Sequence, residues 1–357
     1  MKLRAALALS ALVSSVAQAQ PLPAVCTAPG PEPCLYTPTT TFTPGEVEFV
    51  LRDPSRNNHP VPILVRYPRG APGGPRPVVL WNHGGSTDPV GHRHSAERGK
   101  SLAEAGYIVI HIARLDVVSP TPAELQVCVQ AGVLASTATT GAPLDACRQW
   151  LGWHLYGPLN NAFVAAILPQ YQIGMLPDFV GTPDGSRLIV GGWSGGSEAP
   201  LHLAGAKQTF GNYAMPQVSI PGVVAYWADS PRGPAYAGFQ SGLDEDSYYP
   251  IGATPFLSFS GRGDETGEPA ESRLAAWMAP APGSKFLSWD NDARAVHGTM
   301  DLSECSTTLR ADHCRWMKSL GVAFLDAVVM NQARARDWLS SDAYRTLTGG
   351  VIELHRR

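Results

Sequence analysis

Residues 187–200 read "RLIVGGWSGGSEAP", and this stretch decides the fold. It offers two serines as nucleophiles: Ser194 fits the pattern G-x-S-x-G, and Ser197 fits the looser G-x-S-x-A. The pattern alone is weak, because Gly and Ser are common in loops. Its force comes from a buried strand immediately before it and a helix immediately after, joined by a turn so sharp that the residues two before and two after the serine must be tiny. "RLIVGG" supplies the strand, and Gly192 and Gly196 supply the small flanks for Ser194. Ser197 would displace the turn three residues from the strand end, with Ala199 crowding it, so it reads as an early helix residue. Pro200 is an awkward neighbour, since it removes a backbone donor near the start of that helix.

Working outward, "RPVVLWNHGGS" (76–86) is an apolar strand ending in a glycine-rich loop, and a helix-patterned "AERGKSLAEAG" leads to the strand "YIVIHIA" at 107–113. Alternation of helices with fully apolar strands signals a parallel sheet covered on both faces. "GVVAYWA" (222–228), "PFLSFSG" (255–261) and "SKFLSWD" (284–290) continue the series. Ahead of them, "GEVEFVLRD" and "VPILVRYP" read as an antiparallel pair around a turn. The segment from Cys314 to Leu339 has the apolar spacing of one long helix lying on a sheet face. The expectation is a single α/β domain over residues 46–340 with about eight mostly parallel strands. Residues 114–157 form an excursion over one end of the sheet, and residues 341–357 form a tail.

A serine hydroxyl needs a base, and the base needs an acid to hold it. In such a sheet the acid follows a late strand and the histidine follows the last. Asp264 follows "PFLSFSG" and His297 follows "SKFLSWD", on loops leaving the same sheet edge as Ser194. Singly, a loop aspartate is a turn former and a lone histidine a satisfied polar group; the order Ser, Asp, His is what gives them a joint role. Asp229 also follows a strand and is the alternative acid, ahead of Asp290 and Asp292. The intermediate's oxyanion needs two N–H donors, assigned to Gly195 and to Gly85 of "NHGGS", with His83 fixing that loop. Trp193, Tyr226 and Trp227 lie near strand ends, either as pocket walls or as plain packing. His92-Arg93-His94 lacks a third metal ligand and reads as a solvated loop, so neither metal nor cofactor is expected. Arg262-Gly263-Asp264 spells an adhesion tripeptide but coincides with the acid loop.

The start of the chain has the grammar of a signal peptide over residues 1–19: Lys2 and Arg4, an apolar run from Ala5 to Val13, then Ala17-Gln18-Ala19 as cleavage site. A Pro/Thr-rich arm follows over residues 20–45. Export to an oxidising compartment makes disulfides the natural reading of Cys26, Cys34, Cys128, Cys147, Cys305 and Cys314, paired locally as the simplest of the possible connectivities. The acidic balance, 27 basic against 30 acidic residues, offers no basic stripe, so nucleic acid and anionic membrane are poor partners.

"VVLWNHGG", "GGWSGGS", "SGRGDE" and "AVHG" together resemble the α/β-hydrolase superfamily over about residues 45–335, nearest its dienelactone hydrolase-like esterases, which include platelet-activating-factor acetylhydrolase-like proteins. Dienelactone hydrolases proper use cysteine where this chain has Ser194. The acetylhydrolase-like proteins carry their acid after the earlier strand, matching Tyr226, with Asp229 just beyond. The resemblance implies an exported serine ester hydrolase acting on a small-molecule or lipid-like ester. The alternatives are a prolyl-oligopeptidase-type peptidase and a non-catalytic binding protein of the same fold.

Overall fold

The computed structural model describes residues 34–135, 140–170, 176–236, 242–305 and 308–357. The leader over residues 1–19, most of the Pro/Thr-rich arm and the pairing of Cys26 with Cys34 lie outside the described residues.

A nine-stranded mixed sheet forms the centre. In chain order its strands are β1 (Thr43–Asp53), β2 (His59–Arg69), β3 (Gly74–Asn82), β4 (Ile108–Ile112), β5 (Gly181–Trp193), β6 (Val223–Asp229), β7 (Phe256–Gly261), β8 (Lys285–Asp290) and β9 (Ile352–Arg356). They lie side by side as β1-β2-β4-β3-β5-β6-β7-β8-β9. The strands from β4 to β8 in that row run parallel to one another. β1 and β2 form the expected antiparallel pair, joined to β4 by an antiparallel edge.

Apolar residues on both faces explain why the parallel strands sit in the middle. Side chains alternate across a strand, so Val79, Trp81, Ile189, Trp227, Leu257 and Phe259 face one core. Val78, Leu80, Leu188, Val190, Tyr226 and Phe256 face the other. The first core is closed by α1 (Ala96–Glu104) and α8 (Thr308–Val328), and the second by α4 (Tyr156–Ile167) and α5 (Glu198–Leu203). Close approach of α8 depends on Gly321, where a Cβ would lie 2.2 Å from the Trp227 ring. Truncating a buried Trp such as Trp227 to Ala removes the wall on which two elements rest, a loss of about 3–5 kcal/mol.

Two expectations are corrected. The segment 314–339 is not one helix: α8 ends at Val328, Asn331 takes a positive φ of 54°, and α9 (Ala333–Ser340) starts in a new direction. The 341–357 segment, read as a tail outside the domain, is part of the fold. It forms α10 (Ala343–Leu347) and then β9, which pairs antiparallel with β8 and caps the sheet edge.

The excursion over 114–157 lies at the end where the parallel strands finish. It contains α2 (Pro122–Gln130) and α3 (Ala142–Trp150), then one π-helical turn, Leu151–Leu155, leading into α4. Cys128–Cys147 bridges α2 to α3, and Cys305–Cys314 bridges the approach to α8. These two disulfides are compatible with an oxidising compartment, and no described helix is long and apolar enough to cross a membrane. α6 (Ala275–Met278) and α7 (His297–Met300) are single turns between and after the last parallel strands.

Candidate active site

Four loops leaving the carboxyl ends of β3, β5, β7 and β8 converge at one edge, where open α/β sheets place ligands. β5 ends at Trp193, and Ser194 takes φ +53°, a left-handed conformation costly for a residue with a Cβ. The turn is held in that state by backbone packing. A Cβ on Gly192 would lie 2.3 Å from the Gly196 carbonyl oxygen, and one on Gly196 would lie 2.2 Å from that of Asn82. Small residues are therefore obligatory on both sides of Ser194. Residues 194–197 wind as a 3-10 turn before α5 begins at Glu198. Pro200 thus falls in the first turn of α5, where backbone N–H groups have no intrahelical acceptor and its missing donor is not needed.

Ser194 Oγ lies 2.8 Å from His297 Nε2, and His297 Nδ1 lies 2.6 Å from Asp264 Oδ1. His297 opens α7, directly after β8, and Asp264 is fully buried on the loop after β7. The hydroxyls of Ser230 and Ser260 donate to Asp264 Oδ2 at 2.7 and 2.9 Å. Arg273 approaches Oδ1 at 3.3 Å and donates to the Asp264 backbone carbonyl at 2.9 Å. Burial pushes the Asp264 carboxyl up, but the His297 hydrogen bond and the Arg273 charge outweigh it and hold the group below its usual range. An ionised acid fixes the ring proton on Nδ1, leaving Nε2 free to accept the Ser194 proton.

Asp229, the alternative acid, is turned elsewhere. Its carboxylate receives Arg98 at 2.8 Å and the Trp227 indole N–H at 2.6 Å. Burial presses it up to about 7 against the pull of Arg98. Arg98 also donates to the Met300 carbonyl at 2.9 Å, so the pair braces the far end of α7. Asp290 is likewise engaged, hydrogen-bonded to His313.

Of the three aromatics singled out, only Trp193 borders the site. Its ring centroid lies 5.0 Å from that of His297, its indole N–H donates to the His297 carbonyl at 3.2 Å, and it leans over Gly84. Tyr226 and Trp227 are corrected to core residues, because mid-strand positions in a sheet covered on both faces cannot reach the edge. Tyr226 OH donates to the Leu203 carbonyl, and Trp227 packs against Trp81 and Phe259. His92 and Arg93 face the Glu48 carboxylate on β1 and His94 faces Asp88 on the loop after β3; His92 is buried there, which corrects the solvated-loop reading for that residue.

Gly85 and Gly195 are neighbours: a Cβ on Gly195 would meet the Gly85 carbonyl oxygen at 2.3 Å. Several residues that shape this region carry no local motif. Arg114 and Arg232 are buried beside it, and Trp153, from the π-helical turn, lies 3.1 Å from where a Gly195 Cβ would be. Beneath Ser194, Glu198 accepts from His154 Nδ1 at 2.8 Å and faces Arg232 Nε at 3.5 Å. A sequence cue existed for Arg114, a charged residue directly after the apolar strand β4. No protein-family model matches the chain, and no curated protein matches its sequence.

Proposed function

We infer that this chain is an exported serine carboxylic-ester hydrolase of the α/β-hydrolase superfamily, on the dienelactone hydrolase-like branch. The observation that carries the reading is the hydrogen-bonded chain Ser194, His297, Asp264 at one sheet edge, with the serine on a strained turn. A binding protein has no use for a base and an ionised acid in register with a hydroxyl held at φ +53°.

Ser194 Oγ attacks the ester carbonyl as its proton passes to His297 Nε2. The oxyanion is held by the N–H groups of Gly195 and Gly85. Collapse expels the alcohol, which takes the proton from His297 and leaves an acyl group on Ser194. Water, deprotonated by His297, then releases the acid and restores the serine. Asp264 remains ionised throughout and holds the imidazolium. The acid following β7 rather than β6 supports the dienelactone hydrolase-like arrangement over the acetylhydrolase-like one. The two disulfides support an exported protein.

The test pairs a fluorophosphonate probe with hydrolysis of p-nitrophenyl esters of increasing acyl length and of matched peptide amides. Covalent labelling of Ser194 and turnover of esters only is the expected result. Absence of labelling in the folded protein overturns the hydrolase reading, and preferential amide cleavage replaces the esterase with a peptidase.

A further inference from the structure

The mechanism above uses two peptide N–H groups, and each belongs to a peptide whose carbonyl is engaged from behind. The Gly195 N–H shares its peptide with the Ser194 carbonyl, and Ser197 Oγ donates to that carbonyl at 2.5 Å. The Gly85 N–H shares its peptide with the Gly84 carbonyl, which lies 2.8 Å from His83 Nδ1.

The second side chain is oriented by a neighbour that also fixes its proton. The Arg114 backbone N–H donates to His83 Nε2 at 3.2 Å. A ring nitrogen that accepts carries no hydrogen, so the ring proton resides on Nδ1 and is donated to Gly84. The first is oriented in the same manner: the Arg232 backbone N–H donates to Ser197 Oγ at 3.1 Å, which leaves the hydroxyl hydrogen for the Ser194 carbonyl. Ser197 and His83 are both buried. No peptide among the described residues is cis, and in a trans peptide the C=O and N–H point to opposite sides. Pinning each carbonyl inward therefore turns its N–H outward, and donation to a carbonyl also polarises the N–H of the same peptide.

One guanidinium then ties the two halves together. Arg114 Nη2 donates to the His83 carbonyl at 2.6 Å and to the Gly85 carbonyl at 3.0 Å, and Nη1 donates to the Gly195 carbonyl at 3.0 Å.

We propose that Ser197 and His83 are the positioning residues of the oxyanion hole, each aiming and polarising one donor peptide from behind, and that Arg114 ties the two donor strands together through the carbonyls of the peptides flanking them. This rests on the esterase reading. It also gives the second serine of "GGWSGGS" a role that is neither nucleophile nor filler.

The experiment uses the full chain with Ser197→Ala, Ser197→Thr, His83→Leu and Arg114→Met. Active sites are counted by exhaustive fluorophosphonate labelling, and rates are expressed per labelled Ser194. Two inhibitors of equal chain length are compared. A trifluoromethyl ketone adds to Ser194 and places an oxyanion in the hole, and a methyl ketone binds without adding. Ser197→Ala and His83→Leu are each expected to lower kcat/KM about tenfold, because the donor stays but loses aim and polarisation. The trifluoromethyl ketone Ki should rise by the same factor while the methyl ketone Ki holds. Ser197→Thr, which keeps the hydroxyl, should recover most of the loss, and Arg114→Met should exceed either single change. Kcat/KM per labelled site within twofold of wild type in Ser197→Ala overturns the proposal, as does an equal rise in both Ki values. If His83→Leu or Arg114→Met fails to fold, the Ser197 pair alone still decides it. A wild-type protein that neither labels nor turns over esters brings down the esterase reading itself, an outcome distinct from active wild type with unaffected variants.

Discussion

Replacing Asp264 by Asn tests whether this carboxylate, rather than Asp229, orients His297 for the proposed reaction. Asp264 Oδ2 accepts from the Ser230 and Ser260 hydroxyls at 2.7 and 2.9 Å, and Oδ1 accepts from His297 Nδ1 at 2.6 Å. In the Asn variant the two serine donors claim the amide oxygen, which turns the NH₂ toward His297. An imidazole facing a donor must present a lone pair at Nδ1, so its proton moves to Nε2 and it can no longer accept from Ser194. A wrong-tautomer histidine in a serine hydrolase costs about 10⁴ in turnover, or roughly 5.5 kcal/mol of transition-state stabilisation. The fold should survive: Arg273 keeps its bonds to the Asp264 and Thr266 carbonyls and its ion pair with Glu268 at 3.0 Å.

The assay is p-nitrophenyl acetate hydrolysis per folded molecule, with thermal melting as control and Asp229→Asn measured alongside. Asp229→Asn should lower the melting temperature, since Arg98 is left buried without its anion, and keep kcat/KM within about tenfold of wild type. An Asp264→Asn protein that is folded and retains more than a tenth of wild-type kcat/KM would refute the tautomer argument. A 10⁴ loss in Asp229→Asn instead would move the acid to the end of β6.

Ser194→Ala should abolish fluorophosphonate labelling, whereas Ser197→Ala should still label at Ser194, lose about 1–3 kcal/mol of stability from two broken buried hydrogen bonds, and show its lower rate only in kinetics; labelling lost in Ser197→Ala alone reverses the register of the turn. Gly196→Ala should be inactive or unfolded, because its methyl would sit 2.2 Å from the Asn82 carbonyl oxygen, and full activity on expression contradicts the packing of the turn. Stability should fall as pH drops below about 6.5. Burial holds His83 and His111 well below their usual range and His59 at about 4, so the unfolded chain takes up protons that the folded chain refuses. Each fully buried histidine adds ~1.4 kcal/mol per pH unit to that slope; a urea midpoint flat from pH 7 to 5 contradicts it, and His111→Leu should shallow the dependence. Replacing Cys128 and Cys147 by Ser opens a 19-residue separation and should cost about 3 kcal/mol, read as a lower melting temperature.

What the sequence discloses and what it hides divide along a physical line. Strand identity, strand order along the chain and the positions of Ser194, Asp264 and His297 rest on local signals: apolar runs, glycines at a sharp turn, and a polar residue just past each strand end. Loop position already favours Asp264 over Asp229, but both follow strands, and what occupies Asp229 is visible only in three dimensions. Asp229 is captured by Arg98 from α1, a partner 131 positions away. Tyr226 and Trp227 misled because proximity to a strand end in sequence does not say which residues lie beneath a helix; α8 packs on Trp227 through Gly321. The same holds for the helix expected over 314–339, where the apolar period continues past a helix break at Asn331 that no proline or glycine announces. The hidden class is largest around Arg114, His83 and Ser197. Their partners are backbone carbonyls, which every residue possesses, so no residue-type pattern can mark the pairing. A serine that fits a nucleophile motif and instead holds a carbonyl is therefore recognisable only once the turn itself has been built.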